Sequence, residues 1–148
     1  MTDDIRLIQA STVGEVNDGA FLIFDYFKNK AGDIKNFDTS NYSRLDDIVT
    51  KTLSGKHKLI VAYIGNTPVG VGGVNDHGEL QHLYVDPEHR GKRIAEQLVR
   101  NRLSIGAWYA VVHKDNVASQ SLMSKCGLRP YAQYGEFVMF VVDKSVSN

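Results

Sequence analysis

The sequence of 148 residues is poor in the residues that build disulfide or zinc frameworks, because it holds one cysteine, Cys126. A single cysteine excludes an intramolecular disulfide framework and a cysteine-rich zinc site. His57, His77, His89 and His113 show no metal-ligand spacing. We therefore predict no metal site.

Long apolar runs and excess charge of one sign are also missing. No segment approaches the ~18 consecutive apolar residues of a membrane helix, and the acidic start MTDDIRLIQA does not resemble a signal peptide. The 17 acidic and 17 basic residues cancel, which argues against binding along a nucleic-acid backbone. We expect a cytoplasmic protein with no nucleic-acid or membrane partner.

The composition that is present, 43% hydrophobic and 23% charged, is typical of a globular protein. Because one core commonly spans roughly 100–200 residues, we expect a single domain over residues 1–148. Residues 1–50 hold 5 basic and 9 acidic residues (net −4), whereas residues 51–148 hold 12 and 8 (net +4). Either the acidic part binds a cation and the basic part an anion, or the charge imbalance belongs to a solvated surface with no binding role.

Hydrophobic spacing predicts the element order β-α-α-β-β-β-α-β-α-β-β. Helices are predicted from about Ser11–Thr12 to residue 30, over 42–53, over 91–103 and from Asn116 to Gly127, with a loop over 29–43. The seven strands include the successive segments HKLIVAYI, PVGVGGV and ELQHLYV. This order favours an α+β fold in which a mixed sheet has helices on both faces.

The segment LQHLYVDPEHRGKRIAEQL, residues 80–98, joins a strand through a proline turn and a basic loop to a helix. The first turn of a helix has N–H groups without partners and a positive potential. With Arg90, Gly91, Lys92 and Arg93 before it, this helix end suits an anion such as a pyrophosphate. The alternative is an ordinary solvated helix start.

Two segments resemble the GNAT superfamily of N-acetyltransferases. The run from Leu83-Tyr84-Val85-Asp86-Pro87 to Arg90-Gly91-Lys92-Arg93-Ile94-Ala95 resembles the family's strand and its Gln/Arg-x-x-Gly-x-Gly/Ala cofactor motif. The run NVASQSLMSKCGL, residues 116–128, resembles the family's N-x-x-[SA]-x-x-L-[YM]-x-K-x-G-[FL] helix. The resemblance is strong over residues 56–142 and topological over 1–55, and it implies a GNAT-like, mostly antiparallel sheet of six to seven strands.

The resemblance implies acetyl-CoA as cosubstrate. In the family, the strand with Leu83, Tyr84 and Val85 splays from the strand over 108–113, and its backbone pairs with the pantetheine arm and stabilises charge on the thioester oxygen. Asn116 and Ser119 would contact the CoA arm, although Asn116 is also a favoured helix cap. The amides that would hold the pyrophosphate belong to Arg90, Gly91, Lys92, Arg93, Ile94 and Ala95.

The sequence departs from the family pattern at two positions. Arg93 replaces a preferred glycine, which is tolerable if its φ stays negative, and its side chain would then add a direct ion contact. Met123 replaces the tyrosine that many relatives use as the general acid toward the CoA thiolate. Water, Tyr131, Tyr134 or Cys126 would have to substitute for it.

A general base is needed because an amine at neutral pH is mostly ammonium. Glu79 matches a position where some relatives carry a glutamate base, and Gln81 shares its strand face. His82 is the second candidate, although it points to the opposite face unless a bulge re-aims it. The predicted catalytic residues are thus Glu79, His82 and, as acid, Tyr131.

These observations favour an N-acetyltransferase that moves acetyl from acetyl-CoA to a primary amine by direct attack through a tetrahedral intermediate. The alternatives are a degenerate GNAT module that binds CoA or a partner without turnover, and an unrelated α+β binding protein. The expected acceptor is a small-molecule or peptide amine. The sequence leaves open whether the final strands pair in a homodimer. A cationic acceptor is expected if acidic residues surround its cleft; these are Asp25, Asp33, Asp38, Asp46 and Asp47.

Overall fold

The structure, a computed structural model, describes residues 4–30 and 39–143, and within 26–45 it describes no side chains. Within these described residues, seven strands and four α-helices follow one another in the predicted order. They are β1 (Ile5–Gln9), α1 (Val13–Lys30), α2 (Thr39–Leu53), β2 (Lys58–Ile64), β3 (Thr67–Val74), β4 (Leu80–Val85), α3 (Ile94–Ser104), β5 (Tyr109–His113), α4 (Val117–Lys125), β6 (Leu128–Tyr134) and β7 (Phe137–Val142).

The first helix starts where its capping residues predict. Thr12 Oγ1 accepts a hydrogen bond from the Glu15 backbone N–H at 3.1 Å, and Glu15 Oε1 accepts from the N–H groups of Ser11 (3.0 Å) and Thr12 (3.2 Å). This reciprocal capping satisfies N–H groups that the first turn leaves without partners. The second helix begins at Thr39, three residues before the predicted start at residue 42. Most of the predicted loop over 29–43 lies outside the described residues.

The strands form two antiparallel groups, ordered β1-β2-β3-β4 and β5-β7-β6. A parallel bridge between Glu79 and Tyr109 joins the groups where β4 and β5 begin. Beyond that bridge, Leu80–Val85 and Tyr109–His113 share no ladder, so the two strands part. The prediction of a mostly antiparallel sheet is confirmed. Among the described residues, this one bridge is the parallel part of the sheet.

Helices cover both faces of the four-stranded group, as predicted. Val61, Val71 and Tyr84 face the cluster under α1 and α2, whereas Ile60 and Val85 face Leu98 of α3. The glycine-rich sequence of β3 lets α3 come close, because a Cβ on Gly70 would lie 2.9 Å from Ile94 Cγ2. None of the described helices is long and apolar enough to cross a membrane.

Candidate active site

A cavity of about 480 Å³ lies beside β4, on the face that α3 covers. Its walls come from β4, the loop before α3, the first turn of α3 and α4. Leu122 and Lys125 are the α4 contributions. The predicted cofactor residues that line it are Leu83, Tyr84, Val85, Arg90, Gly91, Arg93, Ile94 and Ala95. Lys92, Asn116 and Ser119 are not among its lining residues.

The loop at the mouth of this cavity takes left-handed backbone conformations at two positions. Gly91 has φ +86° with no atom within 4 Å of where a Cβ would stand, so its backbone is open to a ligand. Arg93 has φ +63°, so the condition of a negative φ is not met. The family's preference for glycine here is explained by that conformation, which costs a side-chain residue about 1–2 kcal/mol. Arg93 also makes no side-chain cap to α3, which leaves first-turn N–H groups available to an anion.

The charged side chains around the cavity are largely held in place. Arg90 Nε donates to the Val85 carbonyl at 3.1 Å, so this guanidinium fastens the loop to β4. Glu96 would repel an anion, but its carboxylate lies 2.9 Å from Arg100 Nε and 3.1 Å from Lys125 Nζ. Hydrogen bonds from Arg100 and then Lys125 lower the pKa of Glu96. The paired carboxylate therefore does not oppose a phosphate group.

Asn116 caps α4, because its side-chain oxygen accepts a hydrogen bond from the Ser119 backbone N–H at 3.1 Å. This is the capping role that the sequence left open for Asn116. The predicted contacts of Asn116 and Ser119 with a CoA arm stay a prediction.

The Asn116→Ala variant is expected to lose about 1 kcal/mol of unfolding free energy, since Ser119 N–H loses its acceptor. Urea unfolding measures this, and Asn116→Ser, which restores an acceptor, is the control. If alanine and serine variants are equally stable, the cap contributes nothing. A rise of the CoA dissociation constant in both variants would support the additional contact.

A β-bulge interrupts the pairing of β3 with β4. Val71 pairs with Tyr84 and Gly73 with Gln81, so two residues of β4, His82 and Leu83, lie opposite Gly72 alone. His82 takes φ +58°, which is a strained conformation for a non-glycine residue. Simple alternation would place His82 and Gln81 on opposite faces; the bulge brings both to one cavity of about 330 Å³ on the α2 side.

Glu79 lies at the point where β4 and β5 meet. Its Oε1 accepts a hydrogen bond from Asn75 Nδ2 at 3.1 Å, with Gln81 Nε2 and the Tyr109 hydroxyl each at 3.5 Å. Asn75 Oδ1 in turn accepts from the Glu79 backbone N–H at 2.9 Å. Asn75 and Gln81 line the α2-side cavity, so Glu79, which is not itself a lining residue, lies next to it.

Tyr109 is a site residue that the sequence analysis missed. Burial, and then the neighbouring Glu79 carboxylate, raise the pKa of the Tyr109 hydroxyl, which therefore stays protonated and donates to Glu79. The strand WYAVVH showed that Tyr109 belongs to a strand, but its position against Glu79 depends on the single parallel bridge. Asn75 was visible only as a turn residue.

The groups considered for the general acid lie apart from the lining residues of both cavities. Tyr131 is 64% exposed on β6, the outer strand of its group, which β7 separates from β5. Met123 is 5% exposed and packs in the cluster that contains Val99, Leu128 and Phe140. The role of Tyr131 stays a prediction from sequence.

The geometry defines a class of protein. It is an α+β fold in which β4 and β5 separate, and the first turn of α3, beside that gap, has N–H groups that can bind an anion. The family model described as "Acetyltransferase (GNAT) domain" matches residues 26–120, well over half of the chain. The chain belongs to the GNAT acetyltransferase family, as its resemblance indicated. No curated protein matches it at a significant level.

Solved structures agree with this fold. PaiA N-acetyltransferase from Thermoplasma acidophilum, in complex with coenzyme A, is 17% identical with a TM-score of 0.67, covering 95% of this chain and 99% of its own. The yncA protein from Salmonella typhimurium, with its cofactor acetyl-CoA, is 17% identical with a TM-score of 0.67 and 98% coverage of both chains. RimL, a ribosomal L7/L12 alpha-N-protein acetyltransferase in complex with coenzyme A, is 16% identical with a TM-score of 0.65 and 96% coverage of both.

Proposed function

We propose that this protein is an acetyl-CoA-dependent N-acetyltransferase that moves acetyl to a primary amine by direct attack through a tetrahedral intermediate. The observation that carries the proposal is that cofactor candidates and base candidates lie on opposite sides of β4. Eight of the predicted cofactor residues line a cavity on the α3 side, whereas Gln81 and His82 line the cavity on the α2 side, with Glu79 Oε1 3.5 Å from Gln81 Nε2. A thioester in the gap between β4 and β5 would thus be open to an acceptor from the opposite face.

The residues present fit two parts of CoA, the pyrophosphate and the pantetheine arm. The open space beside Gly91 and the uncapped first turn of α3 offer backbone N–H groups to a pyrophosphate. Apolar side chains of Leu83, Val85 and Leu122 suit the pantetheine arm. The bound cosubstrate would supply an acetyl group activated as a thioester, whose leaving thiolate is weakly basic compared with an alkoxide.

Glu79 is proposed as the general base. An ammonium acceptor must lose a proton before its nitrogen attacks, and a carboxylate on the acceptor face can take that proton. The hydrogen bonds from Asn75 and Tyr109 fix the orientation of the carboxylate. His82 lies in the same cavity and is the second candidate.

Binding and turnover measured together test the proposal. Calorimetry with CoA, and melting with and without acetyl-CoA, report whether the folded chain binds the cosubstrate, since such a ligand raises the melting temperature. Mass spectrometry of a panel of primary amines then reports acetyl transfer. Binding with transfer supports the enzyme; binding without transfer to any amine supports the degenerate module that Met123 kept open; no binding refutes both.

We further propose a cationic acceptor that enters by the α2-side cavity. Two carboxylates line it, Asp47 and Asp76. Asp47 Oδ2 lies 3.0 Å from Lys51 Nζ, whereas Asp76 Oδ1 lies 3.7 Å from His77 Nε2. Of the two carboxylates, Asp76 is therefore the one without a lysine partner among the described residues. Of the other aspartates in the sequence prediction, Asp25 lines a different depression, Asp46 is exposed outside this cavity, and Asp33 and Asp38 lie outside the described residues.

The Asp76→Asn variant is therefore expected to raise KM for a cationic amine about fivefold, which matches roughly 1 kcal/mol for a pair of charges 4 Å apart in water. Added salt reduces the difference, because it screens the interaction. The control is Asp46→Asn, an exposed α2 carboxylate that does not line the cavity. An equal KM in the two variants, or an anionic best acceptor, would refute the steering role.

A further inference from the structure

Arg102 is a charged side chain in the interior of the fold. It is 1% exposed, and all three of its hydrogen bonds go to backbone carbonyls. Nε donates to Leu98 at 3.0 Å, and Nη1 donates to Gly73 and to Gln81, each at 2.9 Å. The ion pairs found among the described residues do not include Arg102. Burial lowers the pKa of the guanidinium to about 9, which leaves it charged at neutral pH.

Such an arrangement is costly, because a buried cation loses its hydration and here gains carbonyl dipoles rather than a counter-ion. A methionine or leucine would fill the space without that loss. The position of the guanidinium therefore calls for a role beyond filling the core.

The two carbonyls that share Nη1 belong to one pair of the β3–β4 ladder. Gly73 and Gln81 pair immediately before the bulge, after which His82 and Leu83 lie opposite Gly72. The guanidinium thus ties β3 to β4 at the place where the regular ladder stops.

Gly72 makes the space that the guanidinium needs. A Cβ at Gly72 would lie 2.6 Å from Arg102 Cζ and 2.7 Å from Nε. Three features that are unusual one by one therefore fit together: a glycine in a buried strand, an arginine in the core, and a non-glycine residue at φ +58°.

We propose that Arg102 is a positioning residue for acetyl transfer, which holds the β4 bulge so that His82 faces the acceptor cavity while Leu83 lines the cofactor cavity. The inference rests on the proposed function. The same helix begins at the anion loop with Ile94 and reaches the bulge with Arg102, so one rigid element sets both the cofactor end and the reacting end of the cleft.

The test compares Arg102→Met, which keeps an unbranched apolar stem but removes the guanidinium donors, with Arg102→Lys, which keeps a charge and a donor. The methionine variant should lower kcat by about 100-fold, the loss expected when reacting groups move by about 1 Å. The CoA dissociation constant should stay within about threefold, because the anion loop keeps its own contacts. Lysine should recover part of kcat.

Two further variants keep the test decisive. Gly72→Ala retains Arg102 but displaces its guanidinium, so it should lower kcat in the same direction even if Arg102→Met fails to fold. Ile23→Val removes one methylene from the core cluster under α1, outside the lining residues of both cavities, and should lower stability while leaving kcat unchanged.

The backbone amide resonances of His82 and Leu83 read the bulge without any turnover. They should shift in Arg102→Met and Gly72→Ala and stay in place in Ile23→Val. Unmoved amide resonances, or a kcat that follows stability alike in all variants, would overturn the role of Arg102. Failure of the wild-type protein to transfer acetyl would instead refute the proposed function.

Discussion

The Glu79→Gln variant is expected to lose about 10²- to 10⁴-fold in kcat/KM, the usual contribution of a general base. Glutamine keeps the shape of the side chain and can still accept from Asn75 and Tyr109, but it cannot take a proton. The loss should be largest at low pH, where the acceptor is almost wholly ammonium. It should narrow as the pH approaches the pKa of the amine, about 10.4 for a lysine side chain, because free amine then needs no base.

A pH profile of kcat/KM for both proteins measures this effect. The matched control is Glu136→Gln, an exposed carboxylate in the turn between β6 and β7, which should leave the profile unchanged. A ratio between wild type and Glu79→Gln that is the same at every pH would contradict a base role for Glu79. His82, the other candidate base on that face, would then be the residue to substitute.

The Gly91→Val variant is expected to raise the dissociation constant of CoA by about tenfold or more. A β-branched residue at φ +86° strains the loop by about 1–2 kcal/mol, so the binding-competent conformation is less populated and apparent affinity falls in proportion. Its side chain would also fill the open space over the backbone, which we assign to the phosphate. Calorimetric titration with CoA measures both effects together.

Gly55 provides the control for strain alone. It has φ +84°, no atom within 4 Å of a would-be Cβ, and a position in the turn after α2. Gly55→Val should therefore lose comparable stability with no change in CoA affinity. Equal CoA affinity in wild type, Gly91→Val and Gly55→Val would mean that the loop is an ordinary solvated helix start.

Local sequence signals predicted the fold well where local physics decides. The end of the helical spacing at residue 56 separated α2 from β2, and Ser11–Thr12 marked the start of α1. The lining of the cavity that we propose for the cofactor was largely predictable too, because Leu83 to Ala95 are nearly contiguous in sequence. Contacts within one strand–loop–helix unit follow from the order of residues along it.

The acceptor face was less predictable because it depends on contacts between distant segments. The proximity of Tyr109 to Glu79 follows from one bridge between two groups of strands. The positive φ of Arg93 is set by the loop rather than by its own side chain. A glycine at this position is the sequence signal that would have indicated it. Arg102 had a weak signal, since it continues the inward row of Ile94 and Leu98 at four-residue spacing.

A single-turnover reaction tests the central claim most directly. The protein is mixed with acetyl-CoA labelled in the acetyl group and a reactive amine from the panel, and samples are quenched in acid over time. The account predicts that label passes to the amine as CoA thiol is released in equal amount, with no labelled protein at any time. Label that accumulates on the protein would contradict direct attack, and label that stays on bound acetyl-CoA with every amine would contradict an acetyltransferase function.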